Sequence, residues 1–257
     1  MKGITGWHAA LSTLIVAAAL TAACGGGAAP AATKPSPPGP VMKYRNMLPG
    51  QTASAPIDLI QSILYFAPGA ATNVHKHPTV FLATVLQGQI TLKTPSGDKV
   101  ASAGEELREP LNVPVQAVNT GSGETMVVAA YPVPHGAKPT IAIAGQAVPA
   151  TLNKTLYSFT LDSASIGGGY SVIQQVLDFA PGSQTLKNRH GGPGVITVLQ
   201  GEAIVTIDGV EKTYKVGDSF SLTTTSQTMQ AFNRGTTDLL VAASFLLPDG
   251  AHLTTNV

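Results

Sequence analysis

The sequence predicts an all-β protein written as two copies of one unit, and three observations carry that prediction. Ile60 to Gly88 aligns without gaps to Ile173 to Gly201, displaced by 113 positions, with 14 identities in 29. Short segments either alternate apolar and polar residues or run wholly apolar, and turn residues bound them. No segment shows a 3.6-residue apolar stripe, and Gly or Pro interrupts every candidate helix. Many short strands at regular spacing imply a sandwich or a barrel. Periodicity alone does not choose between these two.

The elements follow in chain order. Lys2 precedes the apolar stretch Leu11 to Leu20, and small residues lead to Cys24, the single cysteine. That is the layout of a secretory signal peptide over residues 1–23. Leu20-Thr21-Ala22-Ala23-Cys24 resembles a bacterial lipobox, although Thr21 stands where an aliphatic residue is usual. The resemblance implies lipidation at Cys24 and export, with the chain anchored to a membrane on the periplasmic or cell-surface side of the envelope. Residues 24–40, rich in Gly, Ala and Pro, read as a tether without apolar periodicity.

The two units follow at 41–140 and 141–257, with the join expected between Pro139 and Lys154. In the first copy Ile90 to Thr94 alternates and reaches a turn at Pro95 to Asp98. In the second, Ala203 to Ile207 reaches Asp208-Gly209, a strong hairpin signal. Met126 to Tyr131 and Leu239 to Phe245 are apolar runs suited to buried strands. Phe66-Ala67-Pro68-Gly69 recurs as Phe179-Ala180-Pro181-Gly182, and Thr84-Val85-Leu86-Gln87-Gly88 as Thr197-Val198-Leu199-Gln200-Gly201.

Composition narrows the function. The 257 residues carry 15 Lys and Arg against 14 Asp and Glu, and 11% of positions are charged. Such a chain cannot neutralise a run of phosphates, so no nucleic-acid partner is expected. One cysteine cannot build a disulfide scaffold. No Ser-His-Asp spacing, CxxC pair or phosphate-binding glycine loop is found.

Pro68-Gly69, then His75-Lys76-His77, then Thr84 to Gly88 resembles the first motif of the cupins. Gly104, Pro110 and Asn119 have the spacing of their second motif. The resemblance spans Val41 to the C-terminus and implies two tandem cupin jelly-roll barrels packed as a bicupin, each with a pocket in its mouth. Two residues apart on a strand, His75 and His77 point to one face. A metal site normally needs a third ligand. Where the family places its Glu and its later His, this chain has Phe81 and Val115. In the second copy the matching positions are Asn188, Gly194 and either Met229 or Thr228, so only His190 remains.

Two readings follow. In one, the sites are degenerate, and the first barrel binds a small apolar or uncharged molecule in a pocket containing His75, His77, Phe81 and Val115, with His190 the second barrel's counterpart. In the other, a metal-dependent, dioxygenase-like enzyme uses His75 and His77, with Glu109 beside Pro110, or water, completing the shell. The cofactor would be a divalent transition metal in the first barrel, with none expected in the second. His135 and His252 read as surface residues, and Lys187 and Arg189 as a solvated face. The recurring Thr84/Thr197 and Asn119/Asn233 read as structural.

Overall fold

The computed structural model describes residues 36–53, 56–143 and 153–257. The signal segment, Cys24, most of the tether, and 144–152 of the expected join lie outside the described residues. The chain divides between Ser36 and Pro37, and the architecture below is that of Pro37–Val257. Every regular element among the described residues is a strand, as the absence of a helical stripe predicts. No helix among them is long and apolar enough to cross a membrane.

Two five-stranded antiparallel sheets form the centre. One runs Asn153–Ala164, Ile57–Phe66, Thr125–Pro134, Leu82–Gln87, Glu106–Arg108. The other runs Val41–Ala53, Gly168–Phe179, Leu239–Pro248, Gly194–Gln200, Ser219–Leu222. The outermost strand of each comes from the opposite half of the chain. Val41–Ala53 pairs with Gly168–Phe179, and Asn153–Ala164 pairs with Ile57–Phe66. The two halves therefore exchange their leading strands, and the repeat acquires a pseudo-twofold relation.

Further sheets close each barrel. Lys99–Ser102, Gln89–Lys93 and Gln116–Val118 serve the first half, with Ile141–Ala142 on His75–Lys76. Val210–Lys215, Glu202–Ile207, Met229–Phe232, Asn188–His190 and Thr254–Asn256 serve the second. The Asp208-Gly209 hairpin is present, with φ of 48° and 84° at its two residues. Positive φ at both central positions is the condition of the tight turn that matches strand twist.

The apolar runs reflect strands buried on both faces. Along Thr125–Pro134, Val127, Ala129, Tyr131 and Val133 fill the first barrel, whereas Val128 and Ala130 face the other sheet. Leu239–Pro248 divides likewise between Val241, Ala243 and Phe245 inside the second barrel and Ala242 and Leu246 between the sheets. Alternation is a sequence signal only when one face meets water, so these strands read as continuous.

Buried polar pairs set the register of the two halves. Thr84 Oγ1 donates to Gln174 Oε1 at 2.9 Å, and Thr197 Oγ1 donates to Gln61 Oε1 at 2.5 Å. The Gln61 amide reaches Ser244 Oγ at 2.8 Å and the Gln174 amide the Val128 carbonyl at 3.3 Å. Both repeated Thr and both repeated Gln thus meet across the join between halves, where unpaired polar groups would be costly. Asn119 is structural too: its amide nitrogen donates to the carbonyls of Phe66, Ala67 and Gly123. Asn233 repeats the arrangement on Phe179 and Thr237.

Candidate metal centre and the two barrel cavities

The backbone of His75 is held on two sides. It pairs with Ala142, and it exchanges hydrogen bonds of 3.0 and 2.8 Å with Val115. His77, two residues on, presents its ring to the same side, and both rings are buried. Glu109 arrives from another strand. In Glu106–Arg108 and the residue after it, Leu107 is buried in the first barrel, Arg108 is exposed and Glu109 is buried again. Alternation from the inward Leu107 therefore carries the carboxylate into the mouth.

The three side chains converge on one oxygen. Glu109 Oε2 lies 2.9 Å from His77 Nε2 and 3.5 Å from His75 Nε2. On the far side of each ring, Nδ1 meets a carbonyl: His75 that of Asn73 at 2.8 Å, His77 that of Pro139 at 2.7 Å. A carbonyl only accepts, so both Nδ1 atoms carry a proton, and each ring turns its Nε2 toward Glu109. With both Nε2 atoms unprotonated, Glu109 Oε2 is buried without a hydrogen-bond donor. Three electron-rich atoms would then face each other, an arrangement that a cation between them satisfies.

Protons are one such cation. Burial works to lower the His75 pKa, but the hydrogen bond and charge of Glu109 outweigh it and hold the ring above its ordinary value. Burial likewise works to raise Glu109, and the two imidazoles outweigh that and hold the carboxyl below the usual range. A metal ion is the other. His75, His77 and Glu109 form a group able to hold one, with ligand atoms within 4.8 Å of one another. Two imidazoles and a carboxylate suit a divalent transition metal, and three protein ligands leave coordination positions open. The orphaned oxygen and the locked tautomers fit that group.

A cavity of about 270 Å³ adjoins these residues. Phe81 stacks on His77 with ring centroids 4.8 Å apart, and Tyr131 tilts against both rings. Burial, aided by the Glu109 charge, pushes the Tyr131 phenol far up, so it stays protonated. Asn153, Lys154 and Thr155 of the exchanged strand also line this cavity. Val115 lies buried on the barrel wall as the backbone partner of His75. Tyr131, the Pro139 carbonyl and the exchanged-strand residues are the parts that sequence reasoning missed. Their only trace was the position of Tyr131 in an apolar run.

The second barrel is built differently. Asn188 pairs with Met229 as His75 pairs with Val115, which settles the choice between Met229 and Thr228. At the same displacement Leu222 stands for Glu109, and Gly194 for Phe81. A Cβ at Gly194 would strike the Phe245 ring, which instead stacks on His190 with centroids 4.5 Å apart. His190 Nδ1 meets the Leu253 carbonyl at 3.1 Å, and burial lowers the ring pKa to about 4 despite that bond. The ring is neutral at physiological pH.

Outside the mouths, His135 is exposed as expected, yet it is bonded at 2.8 Å to the buried Asp58. His252, Lys187 and Arg189 are exposed.

Residues 175–243 match a family model described as a cupin domain. A comparison with curated protein sequences returns no match. Among solved structures, AerE from Microcystis aeruginosa is similar at 15% identity and a TM-score of 0.53, over 82% of this chain and 98% of that one. A structure of oxalate decarboxylase is similar at 14% identity and a TM-score of 0.58, over 81% of this chain and 74% of that one. Oxalate decarboxylase from Bacillus subtilis at pH 4.6 matches at 14% identity and a TM-score of 0.57, over 86% and 75%. At these identities the likeness is one of fold.

Proposed function

We propose that this chain, whose fold is the all-β cupin jelly roll, is a metal-dependent cupin whose first barrel holds a divalent transition metal on His75, His77 and Glu109. One observation carries the reading. A buried carboxylate oxygen and the Nε2 atoms of two imidazoles, each fixed from behind through Nδ1, converge on one point. Of the two readings open from the sequence, this geometry favours the enzyme for the first barrel. The carboxylate comes from beside Pro110 and not from the position that Phe81 occupies.

When bound, the ion would supply Lewis acidity and open positions for a small molecule. The chain's own residues prepare the site for it. The carbonyls of Asn73 and Pro139 hold both imidazoles in the ligating tautomer, the usual outer support of a metal-binding histidine. Phe81 covers one face of His77 and keeps water from that side. Tyr131 keeps its phenolic proton and can donate a hydrogen bond to a molecule in the cavity. The dioxygenase-like class fits two histidines, one carboxylate and open positions. A small, largely uncharged substrate suits the volume and the mostly apolar wall.

Metal analysis of the purified, folded chain tests this reading. About one equivalent of a transition metal is expected, and it should vanish in a folded His75→Ala/His77→Ala variant. A chain that takes up no metal from any divalent transition ion, or keeps it in the double variant, overturns the proposal.

Export and lipid anchoring remain part of the proposal. Their support is the apolar stretch Leu11 to Leu20 followed by the small residues before Cys24. Mass spectrometry of the mature N-terminus is expected to read an acylated Cys24, and an unmodified Met1 start would remove this part.

A further inference from the structure

The second barrel encloses the roomier space of the two mouths, about 510 Å³ against about 270 Å³ in the first. The side chains at the matching positions also differ. Glycine replaces Phe81 at position 194, and leucine replaces the carboxylate at position 222. Phe179, Phe220, Leu239, Val241 and Met229 make the wall largely apolar. The chain leading into the barrels closes one side: Pro37, Gly39, Pro40 and Met42 line the cavity, and the Pro38 carbonyl accepts from the Gln184 N–H at 3.0 Å.

Among the polar residues of that wall, which include Gln175, Gln184, Thr185, Thr254 and Asn256, two present buried acceptors that lack a partner. His190 commits Nδ1–H to the Leu253 carbonyl, which leaves a lone pair at Nε2 on a ring that lines the cavity. No hydrogen bond to that nitrogen is found among the described residues. Asn188 is 4% exposed; its amide nitrogen donates to the Leu186 carbonyl at 2.8 Å, and its Oδ1 has no partner. An apolar chamber with unsatisfied acceptors and no charge selects its contents. Among the lining residues anions meet no Lys or Arg, cations meet no carboxylate, and a pure hydrocarbon leaves the two acceptors unpaired.

We propose that the second barrel is a separate binding site for an uncharged, mostly apolar molecule carrying one N–H or O–H donor, which the lone pair of His190 and the oxygen of Asn188 would receive. The site is independent of the first barrel's metal centre. It accounts for a copy that has Asn188 and Leu222 in place of His75 and Glu109 while keeping the barrel and a single neutral histidine.

N-phenyl-1-naphthylamine, an uncharged fluorophore with one N–H, is the probe, used on the mature chain. Saturable enhancement at about one probe per chain is expected. Ala231→Phe or Ala243→Phe, each filling the chamber, should abolish it; thermal melting identifies the variant that remains folded. In competition, 1-phenylnaphthalene, which lacks the N–H, should bind about threefold to tenfold more weakly than the amine, the range of one hydrogen bond. His190→Leu, similar in size, should close that gap. Enhancement absent from the wild type, or surviving a folded filling variant, overturns the site. Equal affinity for the two compounds in the wild type overturns the donor requirement.

Discussion

Glu109→Gln is expected to abolish metal binding by the first barrel while leaving the metal-free protein at least as stable as the wild type. The two effects have opposite signs for one reason. In the metal-free wild type, Oε2 faces Nε2 of His75 and His77, and nothing there donates unless a ring takes up a proton. A glutamine amide in that place can donate a proton to each ring and so satisfies what the carboxylate leaves open. It also removes the one anionic ligand, and affinity should fall by about two orders of magnitude or more, beyond the usual loss from outer-shell changes. The measurement is the melting temperature with and without added divalent metal. Binding to the native state alone raises it by mass action in the wild type, and the variant should show no rise. A variant whose melting still climbs with metal would remove Glu109 from the ligand set. A variant that melts well below the wild type without metal would show that the carboxylate serves structure instead. Acid should weaken metal binding, because His75, held above its ordinary pKa by Glu109, takes up the competing proton as pH falls.

The largest loss of stability is expected at Gly88 and its repeat Gly201. Both have φ of +75°, the left-handed region that favours glycine. Both also sit against a neighbouring strand. A Cβ at Gly88 would overlap the Glu124 carbonyl and stand 2.6 Å from Thr125 Oγ1, and at Gly201 it would stand 2.7 Å from the Asp238 carbonyl. Alanine would cost about 1–2 kcal/mol from the backbone and about 1–3 kcal/mol from overlap with a paired strand. A total of roughly 3 kcal/mol lowers the melting temperature by about 6–12 °C in a chain of this size. Gly69 is the control: its φ is +76°, but nothing lies within 4 Å of the added atom, so Gly69→Ala should cost only the backbone part. Equal losses for alanine at Gly69 and Gly88 would show that strain alone matters and that the close approach does not.

These glycines show how much was legible beforehand. Thr84 to Gly88 and its repeat stood out as an identical run, but identity did not separate the reasons behind it. Gly88 is kept for conformation and clearance, and Thr84 for a hydrogen bond to Gln174 across the halves. The same holds for Tyr44 and Tyr157. They share the displacement of the repeat and lie over Gly104 and Gly217, where a Cβ would stand 2.9 and 2.5 Å from their rings. Neither tyrosine had a local pattern to mark it. At the candidate metal centre the histidine pair was readable from its two-residue spacing alone. The face of Glu109 required knowing that Leu107 points inward.

What the sequence determined by itself is the doubled all-β unit, the cupin motif spacing, the converging pair His75 and His77, and the loss of their counterparts in the second copy. Those features depend on residue type at short range, where spacing and strand pleat translate directly into geometry. Only the tertiary structure decided that the leading strands change places, that the Pro139 carbonyl and Asn153 to Thr155 reach the first cavity, and that the second barrel is the more open apolar chamber. Each of these depends on the packing of segments far apart in the chain. Strand pairing is satisfied equally well by either half of a duplicated sequence, and the contacts between the two sheets select one arrangement.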